Sequence, residues 1–333
     1  MPTLRDFLEK INIRAEIAWD EPMSRHTSFR IGGPADALVR PADAESAAAL
    51  ARAARAEGLP LFVLGGGANI LVGDRGIRGI VLDCSGLRST RLERGDAGPL
   101  LVAGAGLSMD ELCLEALCLG LGGLEDFAGL PGEVGGAVYM NARCYEREVS
   151  QVLARARYLA ADGAGRELGV QPGEWDYKRS PFQPGGRAAG GLVLEAAFRL
   201  APAAPAGVAA TMRARRADRE AKGHYRLPSA GSVFKNDRRL GKPSGRILDE
   251  LGLRGRRIGG AMVSEWHANI FVNAGGASAA DMLALIEAAR REARERLGVE
   301  LEPEVLAVGD FGDRGAVRSG ALFACRGGPP AID

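Results

Sequence analysis

The sequence predicts a mixed α/β and α+β protein built from more than one packed unit, and three observations carry that prediction. Short apolar runs, LFVL at 61–64 and GIVLD at 79–83, follow a helical pattern in the first quarter of the chain. Glycine, with 47 residues, arrives in clusters beside such runs and not at a fixed period, which argues against a solenoid or a collagen repeat. The stretch APAAPAG at 201–207 reads as a Pro/Ala linker and marks the clearest boundary.

Each element follows in order. Ala44 to Gly58 has helical periodicity; LFVL, GGGAN at 65–69 and GIVLD then read as strand, glycine-rich turn and strand. From residue 84 the signals are LLVAG at 100–104, a short helix around Met109 to Leu119, a second glycine loop AGLPGEVGGA at 128–137, and the strand LVLEAAFRL at 192–200. Past the linker come a basic helix through Met212 to Lys222, the strand NIFVN at 269–273, and an amphipathic helix from Ala280 to Leu297. Met282, Leu285, Ile286 and Leu297 supply part of its apolar face. The expected division is 1–83, 84–203, 204–300 and a C-terminal segment 301–333.

Bulk properties narrow the function. With 43 Lys and Arg against 42 Asp and Glu, no global field favours nucleic acid or an acidic membrane surface. MPTLRDFLEK has no apolar signal core and no apolar run approaches a bilayer span, so the cytoplasm is the expected location. Cys84, Cys113, Cys118, Cys144 and Cys325 form no CxxC pair, and His26, His224 and His267 lie far apart, so reduced thiols and no metal are expected.

The chemistry concentrates in a few motifs. HTSFRIGGPA at 26–35 places Arg30 just ahead of the Gly33-Pro34 turn, where backbone can approach a ligand, although alone the stretch reads as a turn more readily than as a site. GGGANILVGD follows a strand, and the amides of Gly65, Gly66 and Gly67, with Ala68 and Asn69 after them, form a concave nest suited to pyrophosphate. It is not GxGxxG and precedes a strand, which weighs against a Rossmann unit. The second loop offers Gly129, Pro131, Gly132, Gly135 and Gly136, and two such loops in different units suit a dinucleotide held between them. Asn141 and Tyr145 in the following YMNARCY suit either the same cleft or ordinary loop packing. SAGSVFKN at 229–236 exposes the Ser232 hydroxyl between small neighbours and adds Lys235 and Asn236 for substrate oxygens. No GxSxG elbow accompanies it, so Ser232 is not read as a nucleophile. LEPEV at 301–305 puts Glu304 directly after Pro303, which fixes the approach of the chain, although the residue alone reads as a surface glutamate.

Taken in order, HTSFRIGGPA, GGGANILVGDRGIRGIVL, AGLPGEVGGAVYMNA, YKRSPFQ, SAGSVFKN, IGGAMVSEWHANIFVN and LEPEV resemble the successive signatures of the UDP-N-acetylenolpyruvoylglucosamine reductase (MurB) family, from about residue 12 to 309. The resemblance implies a two-part FAD-binding region of vanillyl-alcohol-oxidase type, a C-terminal α+β substrate domain, and a final segment returning to the active site. It implies NADPH reducing the flavin, then hydride passing from flavin N5 to C3 of the enolpyruvyl ether of a UDP-sugar. Ser232 takes the place of the acid that protonates C2, and Glu304 the place of the carboxyl that steadies the enol. Lys222 matches a phosphate-binding lysine, Asn236 an amide that recognises the nucleotide sugar, and Tyr177 a substrate-binding tyrosine. A monomer or weak oligomer without nucleic-acid or membrane partners is expected.

Departures from the pattern are specific. Where the family has Tyr-Arg-x-Ser, this chain has Tyr177, Lys178, Arg179 and Ser180. Register gives Lys178 the carboxylate-polarising place, without the bidentate fork of an arginine, and Arg179 is the alternative. Ala68 stands where serine is commoner, and Asp237 follows Asn236 where proline usually does. No tyrosine occurs between Tyr177 and Tyr225, which resembles the shorter subclass lacking a tyrosine-bearing loop. Another FAD-dependent oxidoreductase of the same fold and a non-catalytic nucleotide-sugar binder are the competing readings.

Overall fold

A computed structural model describes residues 3–95 and 98–312. Cys325 and nearly all of the unassigned tail beyond Asp310 lie outside those residues.

Three sheets organise the chain. In the first, Pro34–Pro41 pairs antiparallel with Ala15–Pro22 and parallel with Ile77–Asp83, which in turn pairs parallel with Leu61–Leu64. Buried on both faces, the parallel strands read as unbroken apolar runs rather than alternating ones. The helix Ala44–Ala56, capped by Asp43 accepting from Ser46 N, covers one face with its alanines. The second sheet is antiparallel, in the order Gly165–Gly169, Leu153–Leu159, Leu192–Arg199, Gly98–Gly104 and Thr90–Gly95. Leu61, Ile80 and Leu82 of the first sheet share one buried cluster with Leu101, Phe198 and Leu112 of the second part. The third sheet runs Ser229–Ser232, Ile270–Asn273, Ala261–Val263 and Arg257–Ile258, packed against the helix Ala279–Leu297.

The Pro/Ala stretch is not a free linker. Ala201–Pro202 pairs with Leu121–Gly122, and Pro205 opens a helix that continues to Ala221. At the first helical position a proline has no intrahelical N–H bond to lose and its fixed φ suits the helix, so a Pro-rich stretch can open a helix as well as link two units. Val208 and Met212 bury that helix's first turns in the core of the second part.

Two long-range ties set the site. Phe29 and Ile31 of HTSFRIGGPA are buried in the core of the third part, among Phe234, Phe271 and Met282. Leu306–Val308 pairs parallel with Ile70–Val72, a strand hidden within GGGANILVGD. Asp74, at the end of that motif, accepts from Ala279 N at 2.7 Å and Ala280 N at 3.0 Å, placing a carboxylate at the positive end of the Ala279–Leu297 helix.

The first glycine loop is constrained by backbone on both sides. Gly67 has φ 60°, and a Cβ there would stand 1.9 Å from His26 O. Gly67→Ala is therefore expected to destabilise the protein by at least about 1–3 kcal/mol, read as a lowered denaturation midpoint. An unchanged midpoint would show that the backbone at His26 can move aside for a side chain at position 67.

Candidate active site

One large cavity, of about 1420 Å³, runs between the glycine loops and the third part. That exceeds the 300–1,000 Å³ of an ordinary small-molecule pocket and suits two large ligands side by side. Its wall includes Gly65 to Asn69, Pro131, Gly132, Gly135 and Gly136, along with Tyr177, Lys178, Ser232, Lys235, Asn236 and Glu304.

The glycines divide into two kinds. Gly66 packs on Gly132, where a Cβ would approach Cα to 2.9 Å, and Gly135 packs on Ala105 at 3.0 Å. These close the two loops against each other and against the turn that follows the strand Gly98–Gly104. A Cβ at Gly136 would meet nothing within 4 Å, and one at Gly65 nothing nearer than 3.7 Å. At those two positions bare backbone faces the cavity, which fits the close approach of a dinucleotide phosphate.

Glu304 is fixed by backbone ties to two motifs. Its N–H donates to Val233 O at 2.7 Å, beside Ser232, and its carbonyl accepts from Asn69 Nδ2 at 3.1 Å, at the end of the first glycine loop. Pro303 bridges Phe234, so the proline sits on a strand edge where its missing N–H costs nothing. The Glu304 carboxylate meets Lys178 Nζ at 2.5 Å, with the two side chains 10% and 15% exposed. Desolvation makes such a contact stronger per ångström than a surface pair.

Lys178 reaches the cavity through a tight turn. Its φ is 57°, a left-handed conformation that a lysine adopts at a cost. Gln183 Nε2 donates to the Lys178 carbonyl at 3.0 Å and to Tyr139 O at 3.0 Å, and Ser180 Oγ donates to Tyr139 O at 2.6 Å. The YKRSPFQ motif is thus a clamp that holds Lys178 in this turn. The Arg179 guanidinium instead donates to Gly173 O at 2.9 Å, and Arg179 is not part of the cavity wall that Lys178 joins.

Lys235 pairs with Glu302 at 2.6 Å, and its N–H donates to Glu302 O at 2.9 Å. Asn236 Oδ1 accepts from Ser244 N at 3.0 Å, while its own N–H lies 3.4 Å from Tyr177 Oη. Ser232 ends the strand that pairs with Ile270, directly after Gly231 at φ 73°.

Three expected residues are not brought into this wall. Arg30 is exposed, because Phe29 and Ile31 on either side turn inward to the third core. Gly129 lies behind the second loop, with its N–H on Asp110 and its carbonyl accepting from Tyr225 Oη at 2.5 Å. Lys222 lies outside the wall on an exposed helix end, held by Asp218 at 2.6 Å. Asn141 takes the structural option: fully buried, it donates to Asp176 O at 2.9 Å and accepts from Ser150 N at 2.9 Å. Tyr145 lines the cavity, with its hydroxyl 2.9 Å from Asp218 Oδ2.

Sequence reading passed over Arg143, Arg219 and His224 in the same wall. No motif spacing marks them, since the basic helix end and the loop after YMNA meet only in three dimensions. Arg219 donates to Cys144 Sγ at 2.6 Å, and its buried Nε has no partner. Burial, then the neighbouring Arg219 and His267, push the His224 imidazole down to about 4, so it is neutral at physiological pH. His224→Gln is expected to leave the pH profile of turnover unchanged between about pH 6 and 8; a lost inflection near 6.5 would assign His224 a proton-transfer role.

Residues 35–169 match the model of an FAD binding domain, and residues 223–308 that of the UDP-N-acetylenolpyruvoylglucosamine reductase C-terminal domain. The UDP-N-acetylenolpyruvoylglucosamine reductase of Treponema denticola is 39% identical over 305 residues, covering 89% of this chain and 94% of that protein. That of Rubrobacter xylanophilus is 43% identical over 293 residues, covering 88% and 95%. The chain belongs to the UDP-N-acetylenolpyruvoylglucosamine reductase family.

The crystal structure of the MurB from Thermus caldophilus superposes with a TM-score of 0.71 at 32% identity, over 89% of this chain and 99% of that one. The FAD binding match spans both glycine loops, and the MurB C-terminal match spans Ser232, Lys235, Asn236 and Glu304. The cavity therefore lies where a MurB flavin domain meets its MurB C-terminal domain. Among the described residues no helix is long and apolar enough to cross a membrane, and no His, Cys, Asp or Glu cluster could hold a metal ion.

Proposed function

We propose that this protein reduces the enolpyruvyl ether of a UDP-N-acetylglucosamine enolpyruvate to UDP-N-acetylmuramate, with FAD as carrier and NADPH as donor, in the cytoplasmic supply of peptidoglycan precursor. The observation that carries the reading is the meeting of Ser232, Glu304 and Lys178 on the wall of a cavity floored by two glycine loops. Gly65 and Gly136 would hold the diphosphate of FAD through bare backbone, with Gly66 and Gly132 keeping the loops closed. Bound there, FAD supplies hydride transfer from the nicotinamide donor to the enolpyruvyl carbon.

The chain's own residues handle charge and protons. Hydride addition at C3 leaves electron density on C2 and the adjoining carboxylate. Lys178 supplies positive charge to that carboxylate, and Glu304, tied by its backbone to Val233 and Asn69, positions the reacting group. Ser232 Oγ gives its proton to C2. A serine hydroxyl is a weak acid, so this works because the accepting carbanion is strongly basic. Tyr177, Lys235 and Asn236 would grip the nucleotide sugar, and Lys222 would meet a phosphate after leaving Asp218.

The test is a visible absorption spectrum of the purified protein. The protein is expected to be yellow, to bleach with NADPH and to recover its colour on adding the enolpyruvyl nucleotide sugar. A colourless protein removes the reading. A flavoprotein reoxidised by some other acceptor and not by this sugar points instead to a different oxidoreductase.

A further inference from the structure

Glu133, in the second glycine loop, has no part in the proposed chemistry, yet this half-buried residue encloses one carboxyl oxygen beside both glycine loops. Its Oε2 meets no donor. The residue borders both the large cavity and a smaller one, of about 390 Å³, that also touches Gly65, Gly66 and Ser28. A Cβ built on Gly65 would stand 3.7 Å from Glu133 Oε2 and 3.8 Å from Gly136 N. The carboxyl therefore lies against the bare backbone of both loops, where a dinucleotide diphosphate would pass.

An ionised carboxylate in that place would oppose the like charge of the diphosphate, whereas a neutral carboxyl carries an O–H donor. Of the surrounding charges, Arg88 and Arg40 favour the ionised form, but less than burial opposes it. Arg40 is engaged by Asp83 at 2.9 Å and Glu16 at 3.0 Å, and Arg88 by Glu111. His26 and Arg25, which face the smaller cavity, are both engaged by Glu21, at 2.9 and 3.6 Å. Asp83 and Glu111 add negative charge, and burial pushes the neighbouring Cys84 thiol up, so it stays uncharged. Burial first, then Asp83, pushes the Glu133 carboxyl up to about 8.

We propose that Glu133 works as a neutral carboxylic acid that donates a hydrogen bond to the FAD diphosphate beside Gly65 and Gly136, so that flavin retention requires this proton. The inference rests on the reading that FAD occupies the glycine loops. Glu133 is a positioning residue for the cofactor and takes no part in hydride or proton transfer to substrate. Because the bound dianion favours the protonated carboxyl further, FAD affinity is level at lower pH and falls as the pH rises past the carboxyl's value in the flavin-free protein.

The experiment measures FAD released from the holoprotein, by ultrafiltration and flavin fluorescence, across about pH 6.5 to 9.5. For the unmodified chain the dissociation constant is expected to rise by up to about tenfold per pH unit above about pH 8. Glu133→Gln keeps a neutral donor, so it should retain FAD with no such rise. Glu133→Ala, which lacks the donor, should bind about tenfold more weakly or worse at every pH, also without the rise. A flat profile for the unmodified chain, or the same rise in Glu133→Gln, overturns the proposal. If a variant fails to fold, the profile of the unmodified chain still decides. Absence of flavin at all pH values would overturn the FAD reading itself, whereas retained flavin with a flat profile removes only the role given to Glu133.

Discussion

Ser232→Ala should leave bleaching of the flavin by NADPH within about twofold of the unmodified rate while slowing reoxidation by substrate by roughly 10²–10⁴-fold, the usual span for losing a positioned acid. The split follows from where the hydroxyl acts. Hydride transfer from the nicotinamide needs no proton from Ser232, but quenching the C2 carbanion does. Ser232→Cys should recover part of the loss, because a thiol also carries a transferable proton. Rapid mixing that follows flavin absorbance in each half-reaction reads both rates. Reoxidation at the unmodified rate in Ser232→Ala would transfer the acid role elsewhere.

Lys178→Met should be the second most damaging change. It leaves Glu304, 9% exposed, without its cation, and it removes the charge that receives the substrate carboxylate. Truncating one member of a buried pair costs roughly 2–5 kcal/mol, which corresponds to a loss of roughly 30-fold to several thousand-fold in kcat/KM for the sugar. Lys178→Arg should recover most of it, since a guanidinium restores both charge and a bidentate fork. Arg179→Met, by contrast, breaks a single hydrogen bond to Gly173 O and should have little effect on turnover. Equal losses in Lys178→Met and Arg179→Met would mean that the turn rearranges when substrate binds.

Much of this could be read in the sequence, and the gaps have physical causes. Runs such as LFVL at 61–64 became the strand Leu61–Leu64, because strands buried on both faces carry an unambiguous apolar signal. The long helix, read from Ala280, begins one residue earlier behind its Ser278 capping box. Ser232, Glu304, Lys178 and most of the loop glycines meet in one cavity, since family motifs mark backbone and polar groups that face a ligand. Gly129 belongs to the same motifs but serves packing, and Arg30 stays exposed between two inward-facing neighbours; local spacing does not tell such positions from ligand contacts. Arg143, although inside YMNARCY, carries no ligand signal of its own, and neither do Arg219 and His224, because their common position depends on how separate parts dock. Glu133 looked like any loop residue; its interest lies in a buried oxygen without a partner, which composition does not reveal.

The pairing of Leu306–Val308 with Ile70–Val72 has a consequence for how the molecule is made. The loop at Gly65 to Asn69 emerges early from the ribosome, but Asn69 acquires its bonds to Glu304 and Leu306 only after more than two hundred further residues are synthesised. Closing so long a separation is slow compared with local helix formation. If the loop holds the flavin as proposed, its capture is expected late in biogenesis, and a nascent chain halted before Val305 would carry the loop without the strand that holds it in shape.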